Sequence, residues 1–294
     1  MQTYLRFGDK ASTLRLCAYY LQRTLTSRRL RRAGRFLLLC ALKCSRAPRA
    51  RTPARSSVTG LLDQRGYAPL GWVFTQQQCG EIHAYLADKP LFDRRGTGQR
   101  FQLASKPAGV KLGDYELAAV AHCPHVLELA NCADFLNLAN DYLGFTPTIT
   151  NLSLRWSFPG ESPAGEVQAF HRDSELGSFK ILVYLTDVDM HSGPHRYVPG
   201  SHRERMPLRL RPYSDADIAR DYGAGVTVTG AAGTAFAIDT RGIHKGVPPV
   251  ARARLVLCIQ YSLLPCLLYD YAPVLRAGVT VDPYINRLIV RAQA

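Results

Sequence analysis

Residues 148–185 read TITNLSLRWSFPGESPAGEVQAFHRDSELGSFKILVYL. Thr148 to Trp156 alternates polar and apolar side chains, the period of a half-buried strand. Ile181 to Leu185 is apolar without alternation, which predicts a strand covered on both faces. Between them stands His171-Arg172-Asp173. On an extended segment, side chains at i and i+2 point to the same side, about 6.5–7 Å apart along the strand, so both can converge on one ion. Two histidines and one carboxylate make the facial triad of non-haem Fe(II) oxygenases, which leaves coordination positions open. The third ligand has to come from another strand.

Working outward, Thr234–Ile238 and Leu255–Tyr261 read as further strands, with Gly193-Pro194 and Pro199-Gly200 as turns between. Upstream the period lengthens. Thr75-Gln76-Gln77-Gln78 matches a capping box with Phe74 as its staple, which predicts a helix over 76–88, ended by Pro90. Residues 91–113 show no period and are expected to form a long loop. A second helical region follows Pro124, with Leu136, Ala139 and Leu143 at helical spacing and Gly144 closing it. Helices first, then many strands with Gly/Pro turns, predict a mainly β jelly roll with helices packed outside.

The distal ligand is chosen among seven histidines. His83 lies in the first predicted helix, and His122 and His125 at a helix start. His191 and His195 flank a turn, and His202 ends the sequence PGSH. His244 follows a buried-looking strand and precedes another that carries arginine ten residues on. That arginine, Arg254, opens the apolar run Leu255-Val256-Leu257. It offers a rigid guanidinium fork for a carboxylate, and iron beside a carboxylate clamp points to 2-oxoglutarate as co-substrate. Arg252, one pleat earlier, is expected at the rim.

Two stretches carry a resemblance. Residues 179–202 read FKILVYLTDVDMHSGPHRYVPGSH, and residues 233–263 read GTAFAIDTRGIHKGVPPVARARLVLCIQYSL. The combination of HxD, YLTDV, GP followed by PGSH, a distal His and RLVL resembles the phytanoyl-CoA dioxygenase family of Fe(II)/2-oxoglutarate oxygenases, over about residues 60–265. The resemblance implies a double-stranded β-helix, Fe(II) held by His171, Asp173 and His244, 2-oxoglutarate held by Arg254, O2 as oxidant, and hydroxylation of a small molecule. Because Asp173 fills the third ligand position, hydroxylation or desaturation is favoured over halogenation. One departure stands out. Gly246 occupies a place where relatives often carry a hydroxyl residue that touches the co-substrate, so a second anchor is sought among Lys111, Asn151, Ser153 and Tyr184. Arg155, Trp156, Glu175, Lys180, His195 and Arg241 are candidate pocket residues, with Arg155 and Lys180 as candidate partners of an anionic substrate.

The net charge of +14 is unevenly placed: residues 1–55 hold fourteen Lys and Arg and one acid, Asp9, so they carry +13. The remaining chain is close to neutral. Residues 1–56 are therefore expected to be a basic, poorly ordered extension, and residues 57–294 the dioxygenase domain. A basic amphipathic helix around Leu14–Leu21, in weak contact with anionic membrane, is the next reading of the extension. A chain beginning near Ser56 is expected to fold and turn over as the full chain does. The apolar run Phe36–Leu42 is shorter than the ~20 residues that span a bilayer, and no secretory pattern is present, so a cytoplasmic protein, at most peripheral to a membrane, is expected. Eight cysteines without a CxxC pair read as reduced, mostly buried thiols.

Two rival functions bear on this reading. A non-catalytic binding protein could share the fold, but the complete ligand set and Arg254 argue against it. A nucleic-acid demethylase would combine HxD, a distal His and Arg with a basic arm. The near-neutral domain, and only RAR at residues 252–254 where such enzymes carry a longer motif, argue against that, and no nucleic-acid partner is expected.

Overall fold

The computed structural model describes residues 3–4, 10–46, 57–93, 98–160 and 169–292. Seven helices precede most of the strands: α1 (Lys10–Thr24), α2 (Arg28–Ser45), α3 (Ser57–Arg65), α4 (Gln76–Leu86), α5 (Leu117–His122), α6 (Val126–Ala130) and α7 (Ala133–Leu143). The strands that build the site are β1 (Tyr67–Trp72), β2 (Leu91–Asp93), β3 (Arg100–Phe101), β4 (Leu112–Tyr115), β5 (Thr148–Ser157), β6 (Ser178–Tyr184), β7 (His195–Tyr197), β8 (Val226–Val228), β9 (Thr234–Ile238), β10 (His244–Gly246) and β11 (Arg254–Ser262). An eight-stranded antiparallel sheet runs in the order β1-β9-β6-β11-β5-β4-β2-β3, and a three-stranded sheet in the order β10-β7-β8. This is the jelly-roll architecture expected, with helices against the large sheet.

Alternation along the central strands separates core from site. Phe179, Ile181 and Val183 of β6 enter the large apolar core, as do Leu255, Leu257, Ile259 and Tyr261 of β11 and Leu152, Leu154 and Trp156 of β5. Helices α4 to α7 cover this face with Cys79, Ile82, Leu86, Val120, Val126, Phe135 and Leu136. The intervening residues face the other way. Leu182, Tyr184 and Val256 pack with Phe236 and Ile238 of β9 and with Tyr197 and Val228 of the small sheet. Lys180, Arg254, Asn151, Ser153, Arg155 and Ser157 share that inner side and line a cavity. A register shift between Gln260 and Tyr261 keeps Ile149 on the core side although it is out of phase with Leu152.

Three expectations need correction. Residues 91–113 are not one long loop: β2, β3 and the start of β4 extend the large sheet, and they are too short to show a period. Residues 10–46, expected to be poorly ordered, form α1 and α2. Leu16 is buried, and Leu38, Leu39 and Leu42 pack on the main core. The arginines of α2 are tied down: Arg31 donates to Gln22 O at 2.9 Å, Leu25 O at 3.1 Å and Ser174 O, and Arg35 to Tyr142 O at 3.2 Å and Leu143 O at 3.1 Å. Guanidinium groups that cap main-chain carbonyls can dock a basic helix onto a neutral domain, because they need no acidic partner in the sequence. Residues 47–56 of the expected extension lie outside the described residues. Finally, the cysteines are all free thiols but not mostly buried: Cys79, Cys123 and Cys266 are buried, Cys132 and Cys258 half-buried, and Cys17, Cys40 and Cys44 exposed. No described helix is long and apolar enough to cross a membrane.

Candidate metal centre

His171 and His244 lie directly opposite each other in an isolated antiparallel bridge, each backbone N–H donating to the other's carbonyl at 3.0 Å. The bridge brings two segments 73 residues apart in the chain to one point. It places the imidazole rings 4.4 Å apart between centroids. Asp173 is fixed by the same pairing, its N–H donating to Thr240 O at 2.8 Å. The ligand atoms of His171, Asp173 and His244 all lie within 4.8 Å of one another.

The imidazoles are oriented alike. His171 Nδ1 lies 2.8 Å from Ala169 O, and His244 Nδ1 lies 3.0 Å from Gly242 O, each carbonyl two residues upstream. A proton on Nδ1 satisfies that carbonyl and leaves the Nε2 lone pair for a metal, the usual arrangement behind a ligating histidine. Burial, reinforced by the neighbouring His171, pushes His244 down to about 3, so its ring is neutral at physiological pH. Asp173 receives Lys180 Nζ on Oδ2 at 2.7 Å, while Oδ1 faces His171 Nε2 at 3.7 Å. Burial works against its charge, but Lys180 and the two histidines outweigh it and hold the carboxyl well below its usual range. Arg172 points to the opposite side. Its guanidinium donates to Tyr213 Oη, Ser201 O, Arg241 O and Glu204 Oε2, tying the HxD segment to the segments beneath it.

Arg254 sits across the cavity and is 5% exposed. Its Nη2 donates to Ser157 Oγ at 3.3 Å, while its Nε and Nη1 are buried with no hydrogen-bond partner among the described residues. Burial lowers it to about 10, so it stays charged. Arg252 has a side chain 60% exposed and pairs with Asp189 at the surface. A Cβ added to Gly246 would lie 3.1 Å from Arg254 Nη2 and 3.6 Å from His195 Nε2, so glycine leaves the guanidinium its space. His195, of β7, is kept neutral by burial and by the nearby Arg254.

The cavity holds about 380 Å³. Of the residues read as pocket candidates, Arg155, Glu175, Lys180 and His195 line it. Trp156 alternates to the core side, where its Nε1 donates to Tyr115 Oη. Arg241 lies in another cleft, bound to Asp239. Arg155 and Lys180 are not available for an anionic substrate, because Arg155 forks onto Asp114 at 2.6 and 3.0 Å and Lys180 holds Asp173. Among the proposed second anchors, Asn151 and Ser153 line the cavity, whereas Tyr184 donates to Val228 O and Lys111 lies outside the lining. Ser157, opposite Arg254 in the β5–β11 register, was missed by sequence reasoning. Tyr19 and Arg23 of α1 were also missed, although both line the cavity. His83, in α4 as expected, bonds Leu185 O through Nε2 at 2.6 Å.

Comparison with known proteins agrees with this geometry. The phytanoyl-CoA dioxygenase family model matches residues 62–249, well over half the chain. A search of curated proteins gives no significant match. Among solved structures, the chain resembles EctD from S. alaskensis with 2-oxoglutarate and 5-hydroxyectoine, with 18% identity and TM-score 0.54, covering 84% of this chain and 91% of that one. It also resembles the non-heme alpha ketoglutarate dependent epimerase SnoN from nogalamycin biosynthesis, with 21% identity and TM-score 0.54, covering 70% and 81%. HygX from Streptomyces hygroscopicus, with nickel, 2-oxoglutarate and hygromycin B bound, gives 16% identity and TM-score 0.51, covering 75% and 91%.

Proposed function

We propose that this chain, which belongs to the phytanoyl-CoA dioxygenase family, hydroxylates a small polar molecule with iron held by His171, Asp173 and His244 and 2-oxoglutarate held by Arg254. The class is fixed by the family: the protein is an Fe(II)- and 2-oxoglutarate-dependent dioxygenase using O2. The assignment of residues rests above all on one observation. Two imidazoles with Nδ1 turned to carbonyls and one lysine-braced carboxylate converge on a point, facing a buried guanidinium with two nitrogens unanswered among the described residues.

The donor set fits iron, with two imidazole nitrogens, one carboxylate oxygen, no thiolate and an open side towards the cavity. When bound, the metal supplies the oxidising chemistry, and the protein supplies geometry and shielding. Lys180 holds Asp173 Oδ2 and so directs Oδ1 towards the histidines. Arg254 offers an anion the N–H groups its own neighbours leave unanswered, and the dry surroundings strengthen the attraction between the two. Ser157, which already accepts from Arg254, and the neutral His195 are the proposed second anchors in place of the hydroxyl that Gly246 lacks. Tyr19, Arg23 and Glu175 give the cavity polar groups for the substrate end. Its volume of about 380 Å³ lies at the small-molecule end of the usual range for ligand sites. A finer reading concerns α1 and α2: Leu14, Leu21, Phe36 and Leu37 stand exposed among arginines, which supports weak contact with an anionic membrane.

The test is to load the protein with Fe(II) and 2-oxoglutarate without oxygen, then admit O2 with panels of small polar metabolites and measure succinate. Substrate-dependent succinate release that disappears in Asp173→Ala is expected. Release that persists in that variant would overturn the residue assignment.

A further inference from the structure

A second cleft, of about 560 Å³, opens between α2 and the domain, on the side of the HxD segment away from the catalytic cavity. Six arginines line it: Arg28, Arg31, Arg32 and Arg35 from α2, Arg203 from the turn after PGSH, and Arg241. Among the described residues of its lining, Asp63 is the one carboxylate, and it is already engaged.

The cleft differs from a surface charge run in three ways. Arg28 and Arg31 are buried, at 8% and 5% exposure. The donors that find partners mostly find backbone carbonyls: Arg28 donates to Met206 O at 3.3 Å, Arg31 to Gln22 O, Leu25 O and Ser174 O, and Arg35 to Tyr142 O and Leu143 O. A carbonyl satisfies an N–H but does not neutralise a guanidinium. Arg241 is neutralised by Asp239, while Glu204, near Arg28, is held by Arg172. Lastly, Arg35 Nε is buried with no partner, and Arg32 and Arg203 have no hydrogen-bond or ion-pair partner among the described residues. Burial, with the nearby charges of Arg172 and Arg241, pushes Arg28 down to about 10, and the opposing pull of Glu204 does not offset it.

We propose that this cleft binds a phosphoryl group carrying at least two negative charges. One fork satisfies a planar carboxylate, whereas guanidinium groups arriving from a helix, a turn and the segment before His244 suit a tetrahedral oxyanion with acceptors on several sides. The cleft, of about 560 Å³, has room for a phosphoryl group carried on a larger molecule. Two sources share this chemistry: a soluble phosphate ester or diphosphate, and the headgroup of an anionic phospholipid. Phe36, 66% exposed at the cleft edge, and Leu37 beside it would enter the apolar layer in the second case. In either case the anion joins α2 to the segment that continues from Asp173, since Arg31 already reaches Ser174 O.

The test uses the full-length protein with 2-oxoglutarate saturating, so that Arg254 is occupied. Inorganic pyrophosphate is titrated calorimetrically, and co-sedimentation is measured with phosphatidylcholine vesicles with and without phosphatidic acid. The double variant Arg32→Gln/Arg203→Gln removes two exposed arginines that hold nothing inside the protein, so the fold is preserved, and Arg252→Gln serves as the control. Binding in the native protein that falls about tenfold or more in the double variant, but not in Arg252→Gln, is expected from the loss of two charge-assisted contacts. Pyrophosphate binding assigns a soluble source, and binding to phosphatidic acid vesicles alone assigns the headgroup. No binding to either probe, or equal binding by the double variant, overturns the proposal.

Discussion

The catalytic cavity and the α2 cleft are both rich in cations, yet they treat them in opposite ways. Three buried cations in and beneath the cavity have their own carboxylates: Lys180 holds Asp173, Arg155 forks onto Asp114, and Arg172 reaches Glu204. Arg254, facing the cavity, is the exception among these, with two nitrogens unanswered among the described residues. In the cleft the exception becomes the rule, since Arg28, Arg31 and Arg35 end on main-chain carbonyls. A buried cation with a carboxylate is structural, whereas one without a carboxylate marks a place for an anion from outside. The cost of burying a charge makes the distinction meaningful.

The largest effect that could break this comparison lies at the metal ligands. Asp173→Ala and His244→Ala should each leave a folded protein that retains almost no iron. The expected loss exceeds the roughly 10–100-fold seen on removing groups behind a ligand. Metal analysis after desalting checks it, and near-stoichiometric iron in either variant would mean that the ion sits elsewhere.

Removing the N-terminal helices should come next. A chain beginning at Ser57 loses Leu16, Leu38, Leu39 and Leu42 from the packed interior, the tie from Arg31 to Ser174 O, and the Tyr19 wall of the cavity. The sequence alone suggested that this segment is dispensable. Its contacts lead to the opposite expectation: a melting temperature lower by several degrees, at roughly 2–4 °C per kcal/mol for a domain of this size, and weaker turnover of substrate. Equal melting and turnover in the two chains would return α1 and α2 to the status of a tail.

Lys180→Met probes a cation that has its carboxylate. Its role is to orient Asp173, so iron affinity should fall about 10–100-fold while 2-oxoglutarate affinity of the iron-loaded protein changes little. A variant that binds iron normally would show that the lysine serves something other than its aspartate.

The smallest effect concerns pH. In metal-stripped protein His244 is held to about 3, below the ~6.5 of an unfolded histidine. As pH falls below about 6.5 the unfolded chain gains a proton that the native state refuses. The histidine therefore destabilises the fold progressively between about pH 6.5 and 3. Denaturant titrations across that window should show a shallower decline in His244→Gln than in the native protein, and parallel curves would contradict the account.

How much of this was legible in the sequence follows the range of each interaction. HxD, the strands at 148–157 and 234–238, and the capping box at Thr75–Gln78 are local patterns, and they appear where their periods place them. His244 could be singled out because it lies between two readable strands. The partners across the sheet could not. Ser157 faces Arg254, and Asp114 faces Arg155, only because of register. The same holds for Lys180, which resembled a substrate contact until its distance to Asp173 was known. The helices at 10–46 were concealed by their own composition. Runs of arginine read as solvated tail when the carbonyls that receive them lie over 100 residues away, as Tyr142 and Ser174 do.

The most direct measurement of the central claim compares two arginines two residues apart. Arg254 is buried without a carboxylate, and Arg252 is exposed and paired with Asp189. In iron-loaded, oxygen-free protein, 2-oxoglutarate affinity should fall by ~3–5 kcal/mol in Arg254→Ala and by ~1 kcal/mol or less in Arg252→Ala. Equal losses, or a larger loss in Arg252→Ala, would contradict the rule that an unpaired buried cation marks where the acid docks.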